Sequence, residues 1–168
     1  KTIQAKKLWN LIVEQAQKTG EPGLIFLDTI NQDNRLPKQG EIYCTNPCGE
    51  VPLFDFESCN LGSINLTKMV VHDGKKNDID WKKLEKTISI AIRFLDNVIS
   101  SNYYLLPNIK HITMANRKIG LGVMGWAELL IILGIPYASE KAVELAEVLM
   151  KFIQEKSHSA SGNLAQIR

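Results

Sequence analysis

Apolar residues recur at helical spacing in long stretches of this chain and break into short runs between them. Ala5, Leu8, Ile12 and Ala16 fall on one stripe within Ile3 to Lys18, which predicts an amphipathic helix stopped by Gly20. Trp81, Leu84, Ile88, Ala91, Leu95 and Val98 form a second stripe, with Asp80 placed as its N-cap and an end expected near Ser101, before Pro107. Trp126 to Leu133 predicts a short helix closed by Gly134, with Pro136 preventing continuation. Ser139 is placed to cap a last helix that turns Val143, Ala146, Leu149 and Ile153 inward.

The intervening segments carry other signals. Glu21-Pro22-Gly23 reads as a turn, and Leu24 to Leu27 after it as a short buried strand. Asn31 to Gly40 is polar and turn-rich, hence a loop, and Asp73-Gly74 marks another turn. Arg117 to Val123 suggests a strand rich in glycine. From Glu41 to Leu66 neither period holds, because Pro47, Gly49, Pro52 and Gly62 interrupt it. A long irregular stretch in a compact domain is functional or disordered, and this one is too apolar for disorder. No internal repeat or low-complexity tract is present.

Composition narrows the classes. At 168 residues, 45% hydrophobic and 23% charged, the chain suits one globular domain with a real core. A net charge of +2 provides no field for nucleic acid or an anionic membrane surface. The longest apolar run, Leu129 to Leu133, is far too short to cross a bilayer. Three cysteines, Cys44, Cys48 and Cys59, lie in the irregular stretch. An odd count without an export signal points to reduced thiols with a chemical task and to a cytoplasmic setting. Lys1 stands where a Met would open a gene product, and the first helix is already under way, so we expect a piece of something longer.

The densest chemistry lies in Cys44-Thr45-Asn46-Pro47-Cys48-Gly49-Glu50. Pro47 biases Asn46 toward extended backbone, and alternate residues of an extended strand share a side. On that expectation Asn46, Cys48 and Glu50 present an amide, a thiol and a carboxylate to one point. Such a trio can hold a polar substrate, attack it and move a proton.

Thr45-Asn46-Pro47-Cys48-Gly49-Glu50, followed by Glu57-Ser58-Cys59-Asn60-Leu61-Gly62-Ser63-Ile64-Asn65-Leu66, resembles the active-site loop of ribonucleotide reductases, most of all the adenosylcobalamin-dependent class. Thr19-Gly20-Glu21-Pro22-Gly23-Leu24-Ile25-Phe26-Leu27-Asp28 and Asn116-Arg117-Lys118-Ile119-Gly120-Leu121-Gly122-Val123-Met124-Gly125-Trp126 resemble the family's flanking segments in the same order. The resemblance implies roles. Cys48 matches the thiyl-radical cysteine that removes the ribose 3′ hydrogen, and Glu50 the carboxylate that takes the 3′ hydroxyl proton. Asn46 matches the amide that hydrogen-bonds the ribose, and Cys59 one of two cysteines that reduce the substrate. The second such cysteine lies upstream in the family, outside this chain.

The same resemblance implies an α/β fold: a mainly helical, single partial domain, residues 1–168, of a ten-stranded α/β barrel, with the active-site loop at about 41–66 threaded into its centre. It implies a ribonucleotide substrate, with the diphosphate favoured, and the rest of the catalytic chain as partner. Thioredoxin or glutaredoxin is the expected reductant, a homodimer the expected parent assembly, and adenosylcobalamin the parent's cofactor. None is expected bound to these residues alone, which should be inactive in isolation.

Other readings stay open at this level. Cys44, Cys48 and Cys59, with His72, offer soft ligands for zinc or a small thiol-redox domain, although their spacing lacks paired knuckles. Gly120-x-Gly122-x-x-Gly125 resembles a dinucleotide-binding loop, but the following Gly134-Ile135-Pro136 and further helix break that pattern, so close backbone packing is the better expectation. His72, His111 and His158 are isolated from one another and read as surface residues. Cys44 has no role carried over from the family.

Overall fold

The computed structural model describes residues 2–167. Two compact units divide at Glu57 and Ser58. The fold is mainly helical, and its strands pair only two by two among the described residues.

In the first unit, α1 (Ala5–Thr19) forms as the apolar stripe predicts. Gly20 adopts a left-handed φ of +81° and donates its N–H to Ala16 O at 2.9 Å, the helix stop that only a residue without Cβ accepts cheaply. No residue of α1 is buried, so the stripe specifies the helix here without a core to cover it. The strand expected at Leu24 to Leu27 does not form: Leu24, Ile25 and Phe26 lie outside any regular element, and Leu27 opens α2 (Leu27–Gln32). Four apolar residues are too few to separate strand from helix entry, and no neighbouring ladder claims them. A single 3₁₀ turn, Pro37–Gln39, interrupts the loop that follows. Asn31 braces that loop: its Oδ1 accepts from Ile42 N at 2.8 Å while its Nδ2 donates to Ile42 O at 2.7 Å, so one amide side chain satisfies both backbone groups of a buried residue. β1 (Cys44–Thr45) and β2 (Pro52–Leu53) then pair antiparallel, Cys44 opposite Leu53.

The second unit begins with β3 (Asn60–Asn65), a 3₁₀ turn at Leu66–Met69, and a hairpin of β4 (Val70–His72) and β5 (Asn77–Ile79). Asp73 shapes the hairpin turn by accepting from the backbone N–H groups of Lys75 and Lys76, both at 2.9 Å. Those donors, Lys76 first and Lys75 next, hold its carboxyl below the ordinary aspartate value.

α3 (Trp81–Ser101) starts where Asp80 places it, with the Asp80 carboxylate accepting from Lys83 N at 2.9 Å. Leu84, Ile88 and Leu95 are buried as expected, but Ile92 and Ile99 are buried where Ala91 and Val98 are only partly so. The larger side chains rotate the core-facing stripe by about one residue. α4 (Pro107–Asn116) has no strong apolar period, and its sequence signal is Pro107 at the first turn. It ends on Arg117, a non-glycine residue at φ +50°.

β6 (Ile119–Met124) lies parallel to β3 in continuous register from Asn60 opposite Ile119 to Asn65 opposite Met124. Parallel neighbours need a crossover, and α3 with α4 supplies it. α5 (Trp126–Leu133) closes on Gly134 at φ +68°. α6 (Glu140–Ile167) is capped by Ser139, whose Oγ accepts from Ala142 N at 3.3 Å. Leu149 and Ile153 face inward as predicted, but Val143 does not. It is 69% exposed, and Ala142, one step of about 100° around the helix, takes the buried place. Leu84, Ile88, Ile92, Leu149 and Ile153 join Ile64, Leu66 and Leu129 in one core beneath the β3–β6 pair. Each fully buried side chain of this size contributes about 1.5–3 kcal/mol.

Candidate functional site

Asn46, Cys48 and Glu50 all fall in the loop between β1 and β2. The backbone there is not the extended run that alternate spacing suggests. Gly49 N–H donates to Asn46 O at 3.0 Å, closing a turn across Pro47 and Cys48, and Gly49 follows at φ +84°. Cys48 keeps a negative φ. Asn, Pro and Gly at the first, second and fourth positions suit a type I turn: proline presets the φ of the second position and glycine takes the positive φ that follows. Turn chemistry therefore outweighs the extended bias before proline, and the trio shares a tight loop rather than one pleated face.

Asn46 closes this loop. Its N–H donates to Val51 O at 3.3 Å, and its Oδ1 accepts from Val51 N at 2.9 Å. Because the partner is an N–H donor, the contacting side-chain atom is the amide oxygen, and the NH2 group takes no part in this bond. Cys48 and Glu50 are exposed at the tip, and Asn46 is half-buried.

The hairpin's base is tied at several points. Cys44 Sγ donates to Leu53 O at 3.1 Å, which gives that cysteine a structural place. Tyr43 Oη donates to Asp55 Oδ2 at 2.7 Å, and this bond, with the Asp55 charge, raises the phenol above its ordinary value. Glu57 is buried and its Oε2 accepts from Phe54 N at 2.9 Å, stabilising the bend that puts Phe56 at φ +59°.

Cys59 belongs to the second unit, immediately before β3, and is half-buried. Its neighbours are both anchored. Ser58 Oγ shares a hydrogen bond with Thr113 Oγ1 of α4 at 3.0 Å, and Asn60 Nδ2 donates to Leu95 O of α3 at 3.1 Å. Thr113 is 2% exposed and was not foreseen, since it sits in a helix with little apolar period. The thiol lies beside β6: a Cβ added at Gly120 would stand 3.9 Å from Cys59 Sγ and only 2.5 Å from Leu61 Cδ2.

That contact accounts for Gly120 in the glycine pattern. Gly120 and Gly122 lie within β6, opposite Leu61 and Ser63, and Gly125 at φ +77° abuts Asn65 Oδ1. Gly120 and Gly125 meet a close neighbour there, whereas a Cβ at Gly122 would stand 3.6 Å from Ser63 Oγ, an ordinary contact. His72 is exposed and its Nδ1 pairs with Asn77 Oδ1 at 3.0 Å. Among the described residues no three His, Cys, Asp or Glu side chains gather as a metal-ligand set, and no helix is long and apolar enough to cross a membrane.

The sequence matches the family model of the ribonucleotide reductase barrel domain over residues 1–168. It is 54% identical over 168 residues to a vitamin B12-dependent ribonucleoside-diphosphate reductase of Thermoplasma acidophilum, covering 100% of this chain and 22% of that protein. A ribonucleoside-diphosphate reductase subunit alpha of Chlamydia trachomatis is 41% identical over 172 residues, with 16% of its length covered. The alpha subunit of an Actinobacillus ureae class Id ribonucleotide reductase superposes with a TM-score of 0.77 at 29% identity, over 96% of this chain and 32% of that one. The chain thus spans under a quarter of the curated relatives' length, and its mainly helical architecture with few strands is a portion of an α/β barrel. It belongs to the ribonucleotide reductase family.

Proposed function

We propose that these residues form one partial domain, 1–168, of the catalytic barrel of a ribonucleoside-diphosphate reductase, with the active-site loop at about 41–66. The observation that carries the reading is the Asn46–Val51 loop: an exposed thiol at its tip, a carboxylate beside it, and an amide whose oxygen is used internally while its NH2 group is left for substrate.

Cys48 as a thiyl radical takes the 3′ hydrogen atom of the ribose, since S–H and activated C–H bonds are close in strength. Glu50 accepts the 3′ hydroxyl proton, and Asn46 donates to the ribose oxygen. The 2′ hydroxyl leaves as water. Cys59 and a second cysteine elsewhere in the parent supply two electrons and two protons and become a disulfide, while C2′–OH becomes C2′–H. Glu50 returns its proton to the 3′ oxygen, and Cys48 returns its hydrogen atom to C3′ and is again a radical. A thioredoxin- or glutaredoxin-type dithiol reduces the disulfide for the next cycle.

The names of the B12-dependent relatives support adenosylcobalamin in the parent, which when bound supplies the one-electron oxidant for the thiol. The exposed Cys48 fits a radical received from a group held outside this chain, and no residue here is assigned to hold it. We place the parent in the cytoplasm as a homodimer, and these residues alone should turn over no ribonucleotide. In the intact parent, Cys48→Ser should lower turnover at least about a thousandfold while nucleotide binding holds, as expected for loss of a covalently acting group. Reduction near the normal rate in that variant ends the proposal.

A further inference from the structure

We propose that Thr113 is a positioning residue for Cys59, acting through Ser58. The inference rests on the reading of Cys59 as a redox thiol and goes beyond it by naming what aims the sulfur.

Cys59 lies immediately before β3, so the ladder holds it on one side only, through Asn60. Asn60 is paired in register with Ile119 and anchored through its side chain to Leu95 O. On the other side the chain comes from a bend with no ladder, and Ser58 supplies the fixed point through its 3.0 Å bond to Thr113 Oγ1. Thr113 suits that task. It is 2% exposed, so water does not compete for the hydroxyl. Its own helix is closed onto α3 by Arg117, which contacts Asp96 and Ser100. The same helix α3 supplies Leu95 O, so both anchors of the Ser58–Asn60 segment refer to one scaffold.

Forming a disulfide needs the attacking sulfur aimed at its partner within narrow limits of distance and torsion. Gly120 itself contributes no side chain against the thiol, and Cys59 Sγ donates to the Asn60 backbone oxygen at 3.5 Å, so the direction of the sulfur follows the backbone of this segment. Loss of the Ser58–Thr113 bond frees that backbone on the side with no ladder.

The test uses the full-length reductase. Prereduced Thr113→Val enzyme, without external dithiol, should form product in a single turnover about tenfold to a hundredfold more slowly than wild type, the range for a slightly misplaced reacting group. Its KM should stay within about twofold, as expected when binding is untouched. Thr113→Ser should restore the rate, because it keeps the hydroxyl. Ser58→Ala, outside the helix, should reproduce the defect, and the double variant should be no worse than either single one. Cys59→Ser is the control: if it keeps normal single-turnover yield, the redox reading of Cys59 fails. If Cys59→Ser is dead while Thr113→Val and Ser58→Ala both react at the wild-type rate, the positioning role alone is overturned.

Discussion

Arg117 Nε donates to Asp96 Oδ1 at 2.6 Å, and the same guanidinium reaches the Asp96 backbone oxygen at 2.7 Å. A third contact, to Ser100 Oγ at 2.9 Å, makes one side chain the tie between the end of α4 and two turns of α3. The planar fork of arginine makes this possible, and lysine offers only a point charge. The tie is enforced at a left-handed φ of +50°, a conformation L residues adopt at some cost, so the contacts must outweigh it.

Removing the guanidinium should therefore loosen α4 locally. Asp96 is 9% exposed, and Arg117→Met would leave its carboxylate without the cation. Breaking a fully buried pair costs about 3–5 kcal/mol. Because Arg117's side chain is still 25% exposed, we expect about 2 kcal/mol here. Amide hydrogen exchange in α4 should then accelerate roughly 30-fold, and Arg117→Lys should recover only part of the protection. Unchanged exchange in both variants would mean that apolar packing alone holds α4.

Two glycines of one sequence pattern should respond differently to alanine. At Gly125 the φ of +77° costs about 1–2 kcal/mol for any L side chain. The new Cβ would also stand 2.9 Å from Asn65 Oδ1, which is pinned by Thr67 N and Thr67 Oγ1 and cannot retreat. At Gly120 the closer clash, 2.5 Å, is with the end of the Leu61 side chain, which is 57% exposed and free to swing. We expect Gly125→Ala to cost about 2–3 kcal/mol and Gly120→Ala less than about 1. Urea midpoints would rank them, and the reverse order would show that Leu61 is fixed.

These contrasts mark what the sequence carried. Asp80, Gly20, Gly134 and Ser139 act locally, through caps whose partners lie within four residues, and each sits where its residue type predicts. Thr113 and Arg117 work through partners 55 and 21 residues away, and no local period announces such pairings. Val143 failed for a smaller reason: the apolar stripe of α6 is wide, and only packing chooses between it and Ala142. The Cys48 loop lay in between. Its residue types were legible, but alternation was the wrong rule, because Asn46-Pro47-Cys48-Gly49 encodes a turn.

That turn gives Asn46 two separable tasks. Its Oδ1 accepts from Val51 N and holds the loop, while the proposed substrate contact uses its NH2 group. Asn46→Asp keeps an acceptor for Val51 N–H and deletes the donor, whereas Asn46→Ala deletes both. If the donor acts on the ribose as it reacts, Asn46→Asp in the intact parent should lose about a hundredfold in kcat, the scale for one such hydrogen bond. Its loop should stay closed, read as unchanged exchange of the Val51 amide. Asn46→Ala should show the same kinetic loss together with faster Val51 exchange. Full activity in Asn46→Asp would reduce Asn46 to a loop clasp and remove it from the chemistry, whereas matched losses of activity and amide protection in both variants would show that the clasp was its whole contribution.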